Sequence, residues 1–400
     1  MQRVAISSCE SYEFHDVGAA LEELMSQLGY GFTDFIKPGM SVFIKPNWVA
    51  SRWRESAPHV DTLWSVITHS AVIEAVADSV AEALMGRGEI IIGDNPSIDA
   101  DFEELIRFTG IQKLETKYDV PCRILDLRPL VCKDLNDYGK KDKMHPQSGD
   151  TGGSVQINLG KESMFYDVDP ALFRGVFDER EDTVASHTGD TQLYTFSKSL
   201  YDADVYISIP KLKTHHKVGA TLNLKGLVGS ITEKNQLVHW RVGPPETGGD
   251  EYPDSESWLA AQNEKVTNRG AHPGNDTIWR MVVDLYKAMM KRERKYFSVV
   301  DGIIAGEGAG PFCPHAKAAN VLVAGNNLLA VDVASVRLMG FDPKKISYLR
   351  HFIDTNAISF NDIGIVSDKY GAKTFFSDTS AYLDFAVPEL WREIKVDFRT

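Results

Sequence analysis

Short, almost wholly apolar runs alternate along this chain with stretches whose apolar residues recur every three or four positions. Residues 3–7, 40–44, 89–92, 123–127, 204–210, 297–304, 319–324 and 362–366 read as strands. Between them, 16–28 places Val17, Leu21, Leu24 and Leu28 at helical spacing. Residues 70–85 do the same with Val72, Ile73, Val76, Val80 and Leu84, behind Ser70 as a candidate N-cap. Further helices are predicted over 101–118, 277–290, 328–338 and 344–352. Strands that are apolar at successive positions bury both faces. Their alternation with helices therefore predicts an α/β fold, a largely parallel sheet flanked by helices on both faces.

Two stretches break this rhythm. From 129 to about 195 the chain is polar and Gly-rich, with alternation only at Val155, Ile157 and Leu159, which predicts an irregular insertion of antiparallel strands and loops. Residues 240–275 form a second Gly/Pro/Asp-rich excursion, and loops of that length in a compact domain usually serve function. The expected organisation is a first α/β part over 1–128, the insertion over 129–195, and a second α/β part over 196–400. A polar loop with Trp48, Trp53 and Trp64 leads into Thr68-His69-Ser70.

Composition narrows the picture. A chain of 400 residues is longer than one typical domain, so it forms one large or two closely joined α/β units. Its net charge of −13 argues against general nucleic-acid affinity, because no basic surplus is available to neutralise phosphates. Cys9, Cys122, Cys132 and Cys313 are scattered without a CxxC pair, which suits a reducing compartment and predicts no iron–sulfur cluster. No basic-then-apolar leader opens the sequence and no apolar run reaches spanning length. A cytoplasmic protein without a membrane partner is expected, and a homo-oligomer stays open.

Against that acidic background one stretch stands out. Residues 208–231, SIPKLKTHHKVGATLNLKGLVGSI, hold Lys211, Lys213, His215, His216, Lys217, Asn223 and Lys225 just beyond an apolar strand. Lys45 and Asn47, Asp94, and Asp301 with Glu307 likewise follow strands. Ligands bind at the carboxyl ends of strands in open parallel sheets, so these groups point to one site. Lys45, Asn47, His69, Lys213, Asn223, His239 and Arg241 are candidate substrate-binding groups. His215 or His216, with Lys225 and Lys211, are the candidates for proton transfer. Adjacent histidines point in different directions, so one of the two is expected to face the site. Lys225, set among Leu222, Leu224, Leu227 and Val228, is the lysine least suited to solvent, with Gly226 and Gly229 beside it for close backbone approach. Asp94, Asp301 and Glu307 have the oxygen chemistry for Mg²⁺ or Mn²⁺. Asp332 needs a partner inside its apolar helix, and Arg337 is the nearest in sequence. The bland readings are a solvent-seeking lysine at position 45 and an Asx-turn at Asp94. The Gly-rich 306–310 stretch lacks both the P-loop Lys-Ser/Thr and the G-x-G-x-x-G register, so no nucleotide is assigned.

Six segments, IKPN at 44–47, Thr68-His69, IIGDNP at 91–96, the run 210–229, VVDGIIAGEGAGP at 299–311 and AVDVASVRLMGFDP at 330–343, occur in an order that resembles the domain-of-unknown-function family 362. Many members of that family carry an additional iron–sulfur module rich in CxxC, absent from this sequence. They occur in surface-polysaccharide and natural-product pathways, so the resemblance also implies a transferase or ligase in biosynthesis. A short His-Gly-Lys order is similar to the lactate racemase family, which uses a nickel-pincer nucleotide, over too few residues to carry roles across. The residues themselves favour an enzyme acting on a small phosphorylated or carboxylated metabolite by proton transfer, as isomerase or lyase. A non-catalytic binding protein for an anionic metabolite or a metal is the rival reading.

Overall fold

The structure, a computed structural model, describes residues 1–51, 63–263, 268–371, 374–378, 380 and 382–396. Trp53 and residues 264–267 of the long loop lie outside them. A ten-stranded sheet organises the chain. Its main strands are β1 (Gln2–Ser8), β2 (Ser41–Pro46), β3 (Glu89–Asp94), β4 (Cys122–Asp126), β5 (Val205–Ile209), β6 (Lys211–His215), β7 (Lys295–Ala309), β8 (Cys313–Gly325) and β9 (Ile363–Ser367). The spatial order is β9-β1-β8-β7-β5-β2-β3-β4, with β6 paired to the outer half of β7. Strands β7, β5, β2, β3 and β4 are mutually parallel, β8 runs antiparallel to its neighbours, and β9 is parallel to β1. The largely parallel α/β architecture expected from the apolar runs is the one observed.

Alternate residues of each strand go to opposite cores. Val42, Ile44, Ile90, Ile92, Val205 and Ile207 meet α1 (Phe14–Leu28) and α2 (Ser70–Leu84) on one face. Phe43, Ile91, Tyr206 and Val300 join the other core with α3 (Leu222–Gly226), α4 (Ile278–Met290) and α5 (Leu328–Leu338). Each fully buried Val, Leu or Ile contributes about 1.5–3 kcal/mol, which is why both faces are apolar. Among the described residues no helix is long and apolar enough to cross a membrane.

Several local expectations change. His69, not Ser70, caps α2, its Nδ1 accepting from Ala71 N at 3.0 Å, because the extended backbone at His69 aims the ring at the first turn. The 101–118 helix is an α-helix only over Phe102–Thr109. Gly110, at a left-handed φ of 62°, ends it before a 3-10 turn. The Gly-rich 306–309 stretch, placed beyond the strand read over 297–304, belongs to that strand. It continues β7 in a long hairpin, with Gly306 opposite Ala316 and Glu307 opposite His315. Lys211–His215 is also a strand. Pro210 cannot donate to the ladder, but its carbonyl accepts from Asp301 N at 2.9 Å and redirects the chain from β5 onto β7.

The 129–195 region adds short two-stranded pairs, Leu130–Val131 with His145–Pro146 and Ser154–Asn158 with Leu193–Ser197. A third pair, Phe173–Arg174 with Trp240–Arg241, ties the region to the long loop just beyond His239.

Candidate functional site

The carboxyl ends of β2, β3 and β5 meet along one edge. At the end of β2, Lys45 Nζ lies 2.8 Å from Asp94 Oδ1 at the end of β3, both side chains buried. Asp94 also accepts from Trp48 N at 2.6 Å and Asn95 N at 2.9 Å. Asn95 then ties this edge to the turn after α3, its N–H donating to Gly229 O at 3.0 Å and its Nδ2 to Ile231 O at 2.7 Å. Lys234 donates to Pro96 O at 2.9 Å. Gly229 has to be glycine, since a Cβ there would fall 2.0 Å from Asp94 Oδ1 and 2.8 Å from Lys45 Nζ. A Cβ on Gly226 would meet nothing within 4 Å, so the two glycines of the motif are not equivalent.

Lys225 is presented from behind. Leu222 adopts a left-handed φ of 50°, a strain of roughly 1–2 kcal/mol for an L-residue. Asp332, on α5, holds the turn by accepting from Asn223 N at 2.9 Å, Asn223 Nδ2 at 2.8 Å and Leu224 N at 2.8 Å. Asn223 Oδ1 accepts in turn from Ser298 Oγ at 2.9 Å. Asn223, expected to touch substrate, is thus spent on positioning α3. Asp332 pairs with that turn rather than with Arg337, whose guanidinium donates to Asp378 O and Ser380 O instead. Burial pushes the Asp332 carboxyl up to about 7, against the three donors.

From this support Lys225 reaches a position where it is 8% exposed and, among the described residues, has no hydrogen-bond or ion-pair partner. Burial, and then the Lys45 charge, pushes it down to about 8. Its own charge acts on Lys213, Lys217, Lys234, His215 and His239, so these six groups form one electrostatic cluster. Among the described residues Lys213 donates only to Val66 O and Pro311 O, at 2.6 and 3.1 Å. Lys217 donates to Arg269 O and lies over the Trp240 ring, 4.6 Å from its centroid. Burial first, then neighbouring cations, pushes Lys217 and Lys234 each down to about 7.

The two histidines of the cluster present different ring atoms. His215 Nδ1 accepts from Lys217 N at 3.1 Å, which places the proton of the neutral ring on Nε2. His239 Nδ1 donates to Leu237 O at 2.7 Å, which leaves a lone pair on Nε2. Burial and then the lysines hold both far below the usual imidazole range, so both are neutral at pH 7. His216 is half-buried with its ring edge-on to His215, and its carbonyl accepts from Trp391 Nε1 at 2.7 Å.

Other candidates sit elsewhere. Lys211 and Asp301, both 0% exposed, form a 2.7 Å pair inside the sheet. Asp301 also accepts from Tyr12 OH at 2.8 Å and His69 N at 2.9 Å, and Lys211 Nζ lies 3.0 Å from Tyr12 OH. His69 stacks on Tyr12 at 3.7 Å, and burial pushes it down to about 4. Held by these bonds, the group reads as a strut joining β6, β7, α2 and the Tyr12 loop. Arg241 faces Asp250 and Asp276. Asn47 is fixed through its backbone to Thr68, and its buried Oδ1 has no partner among the described residues.

The three carboxylates expected to share a divalent ion are not brought together. Asp94 is bound to Lys45, Asp301 to Lys211, and Glu307 to Lys317 at 2.9 Å and Ala386 N at 2.9 Å. The cause for Glu307 is the extended hairpin, which carries it past the strand edge. Among the described residues no group of three His, Cys, Asp or Glu side chains is placed to hold a metal. Lys234 had no signal in the sequence, lying in an ordinary polar run, and Tyr12 was equally silent.

The family model for a domain of unknown function, DUF362, matches residues 42–145 and 155–337, well over half of the chain. The chain belongs to the DUF362 family. All the lysines and histidines of the cluster fall within the matched segments. This DUF362 chain is 24% identical over 346 residues to a thylakoid-associated protein of Synechocystis sp., covering 86% of itself and 77% of that protein. Among solved structures it overlaps the lactate racemase apoprotein of Thermoanaerobacterium thermosaccharolyticum with a TM-score of 0.40 at 10% identity. That overlap covers 84% of this chain and 57% of the other. A Thermotoga maritima protein gives 0.35 at 12% identity, covering 80% and 56%. The chain therefore spans little more than half the length of either solved chain.

Proposed function

We propose that this DUF362 protein is an enzyme that binds a small anionic metabolite, phosphorylated or carboxylated, among Lys45, Lys217, Lys225 and Lys234 and moves a proton on it, as an isomerase or lyase. The carrying observation is Lys225, a buried lysine without a partner among the described residues and coupled by charge to the lysines around it. Burying an ammonium without compensation is costly, and an anion seated beside it would remove that cost. The histidines support the proton-transfer part. His239 offers an unprotonated Nε2 as base, its other nitrogen fixed by Leu237 O, while His215 offers an Nε2–H that can donate to a developing oxyanion. The surrounding ammonium groups would stabilise negative charge as it builds next to the abstracted proton.

The test has two parts. Native mass spectrometry of freshly purified protein should find a retained anion in the wild type and none in Lys225→Gln. Once that ligand is identified, His239→Asn should keep its affinity within about threefold and lose turnover by about 10²-fold or more, the usual contribution of a general base. Unchanged turnover in His239→Asn would remove the proton-transfer reading. Retained ligand in Lys225→Gln would remove the anion site.

A further inference from the structure

We infer that the Lys225 cluster is built for a phosphate-type dianion rather than a monocarboxylate, and that Lys234 is one of its ligands. This deepens the anion-binding reading above and rests on it.

Lys45, which borders the cluster, pairs with Asp94, and among the described residues none of Lys213, Lys217, Lys225 and Lys234 forms an ion pair with a carboxylate. Lys213, Lys217 and Lys234 donate to backbone carbonyls alone, and Lys225 donates to nothing described. The carboxylates nearest to Lys217 are already engaged, Asp250 with Arg241 and Glu251 with Arg269 at 3.2 Å. Asp126, near Lys234, is held by Arg128 at 2.7 Å. A singly charged ligand would leave several buried ammonium groups uncompensated, whereas a dianion with three or four oxygens can accept from several of them at once. Lysine, a compact point charge, suits that role better than the planar fork that pairs with a carboxylate.

Lys234 enters by the same logic. Its carbonyl partners are Asn95 O and Pro96 O, the residues directly after Asp94, so it stands over the end of β3 next to the Lys45–Asp94 pair.

Isothermal titration calorimetry on the full chain at near-neutral pH tests this with inorganic phosphate, sulfate and acetate. Phosphate and sulfate should each bind at least about tenfold more tightly than acetate. Lys225→Gln and Lys234→Gln should each weaken phosphate by about 10- to 100-fold, the size of one lost charge-assisted contact. The exposed Lys140→Gln should leave it unchanged. Circular dichroism confirms that the variants fold, and Lys225→Arg should recover part of the affinity if charge is what matters. Glycerol phosphate and adenosine monophosphate then identify the source. Tighter glycerol phosphate assigns the dianion to a small metabolite, and tighter mononucleotide assigns it to a nucleotide. Acetate binding as tightly as phosphate, or Lys234→Gln binding phosphate like the wild type, would overturn the inference. In the first case the broader anion-site reading would survive with a carboxylate as its ligand. Binding of none of the three anions would remove both.

Discussion

Gly229→Ala probes the contact on which the site edge is built. The new Cβ would sit 2.0 Å from Asp94 Oδ1 and 2.8 Å from Lys45 Nζ. Asp94 cannot simply swing away, because Trp48 N and Asn95 N hold both of its oxygens. The turn over Leu227–Ser230 must therefore lift, stretching the Asn95 N to Gly229 O bond, or the Lys45–Asp94 pair must open. Overpacking of this kind costs about 1–3 kcal/mol, offset by the roughly 0.4–1 kcal/mol that alanine gains from a stiffer unfolded chain. Gly226→Ala is the matched control. Its φ is −58° and its Cβ would meet nothing, so it should be neutral or stabilising by up to about 1 kcal/mol. For a chain this long, about 1 kcal/mol corresponds to roughly 1–2 °C in Tm. Differential scanning calorimetry should place Gly229→Ala lower by about 1–3 °C, with phosphate binding weakened, and Gly226→Ala level with or above the wild type. Equal Tm and equal binding for Gly229→Ala would refute the described packing of this turn on Asp94 and Lys45.

Asp332→Ala strands two backbone N–H groups and an amide in a buried setting, so a loss of about 3 kcal/mol or more is expected in chemical denaturation, with phosphate affinity falling as α3 loosens. Lys211→Met leaves Asp301 buried without its cation and should cost about 3–5 kcal/mol, whereas the double variant Lys211→Met, Asp301→Leu should recover part of it. Without added anion, the lowered Lys225 and Lys234 give a defined pH response. The unfolded chain holds its lysine protons up to about pH 10 and the folded chain releases these two near 7–8, so their contribution makes stability rise with pH across that window. Anion affinity should fall over the same window as the ammonium groups are lost, and Lys225→Gln should flatten both curves.

The sheet was legible because its strands are apolar on both faces, as at Val42-Phe43-Ile44 and Ile90-Ile91-Ile92, a pattern that only a doubly covered sheet accommodates. The strand-edge position of Lys45, Asp94 and the 208–231 lysines followed from the same pattern. The pairing among these groups did not. Nothing local in the sequence says that Asp301 closes on Lys211, or that Glu307 travels up a hairpin to Lys317, because both depend on long-range register. Asn223 reads as a ligand by composition, yet the left-handed Leu222 turns it toward Asp332 and Ser298. Lys234 stayed hidden because its side chain is held by the segment after β3, whose Asn95 and Pro96 carbonyls it meets far from its own neighbours in sequence.

Lys225 itself provides the most direct measurement. In ¹⁵N-lysine-labelled protein, with the Lys225 Nζ signal assigned by its loss in Lys225→Arg, the pH titration followed by NMR should give a midpoint near 8 without added anion. On saturation with phosphate the midpoint should move upward, because the charged form gains a partner. A midpoint at about 10.4, the ordinary lysine value, that phosphate does not move would mean that Lys225 is solvated, and the account of a buried ammonium awaiting an anion would be wrong.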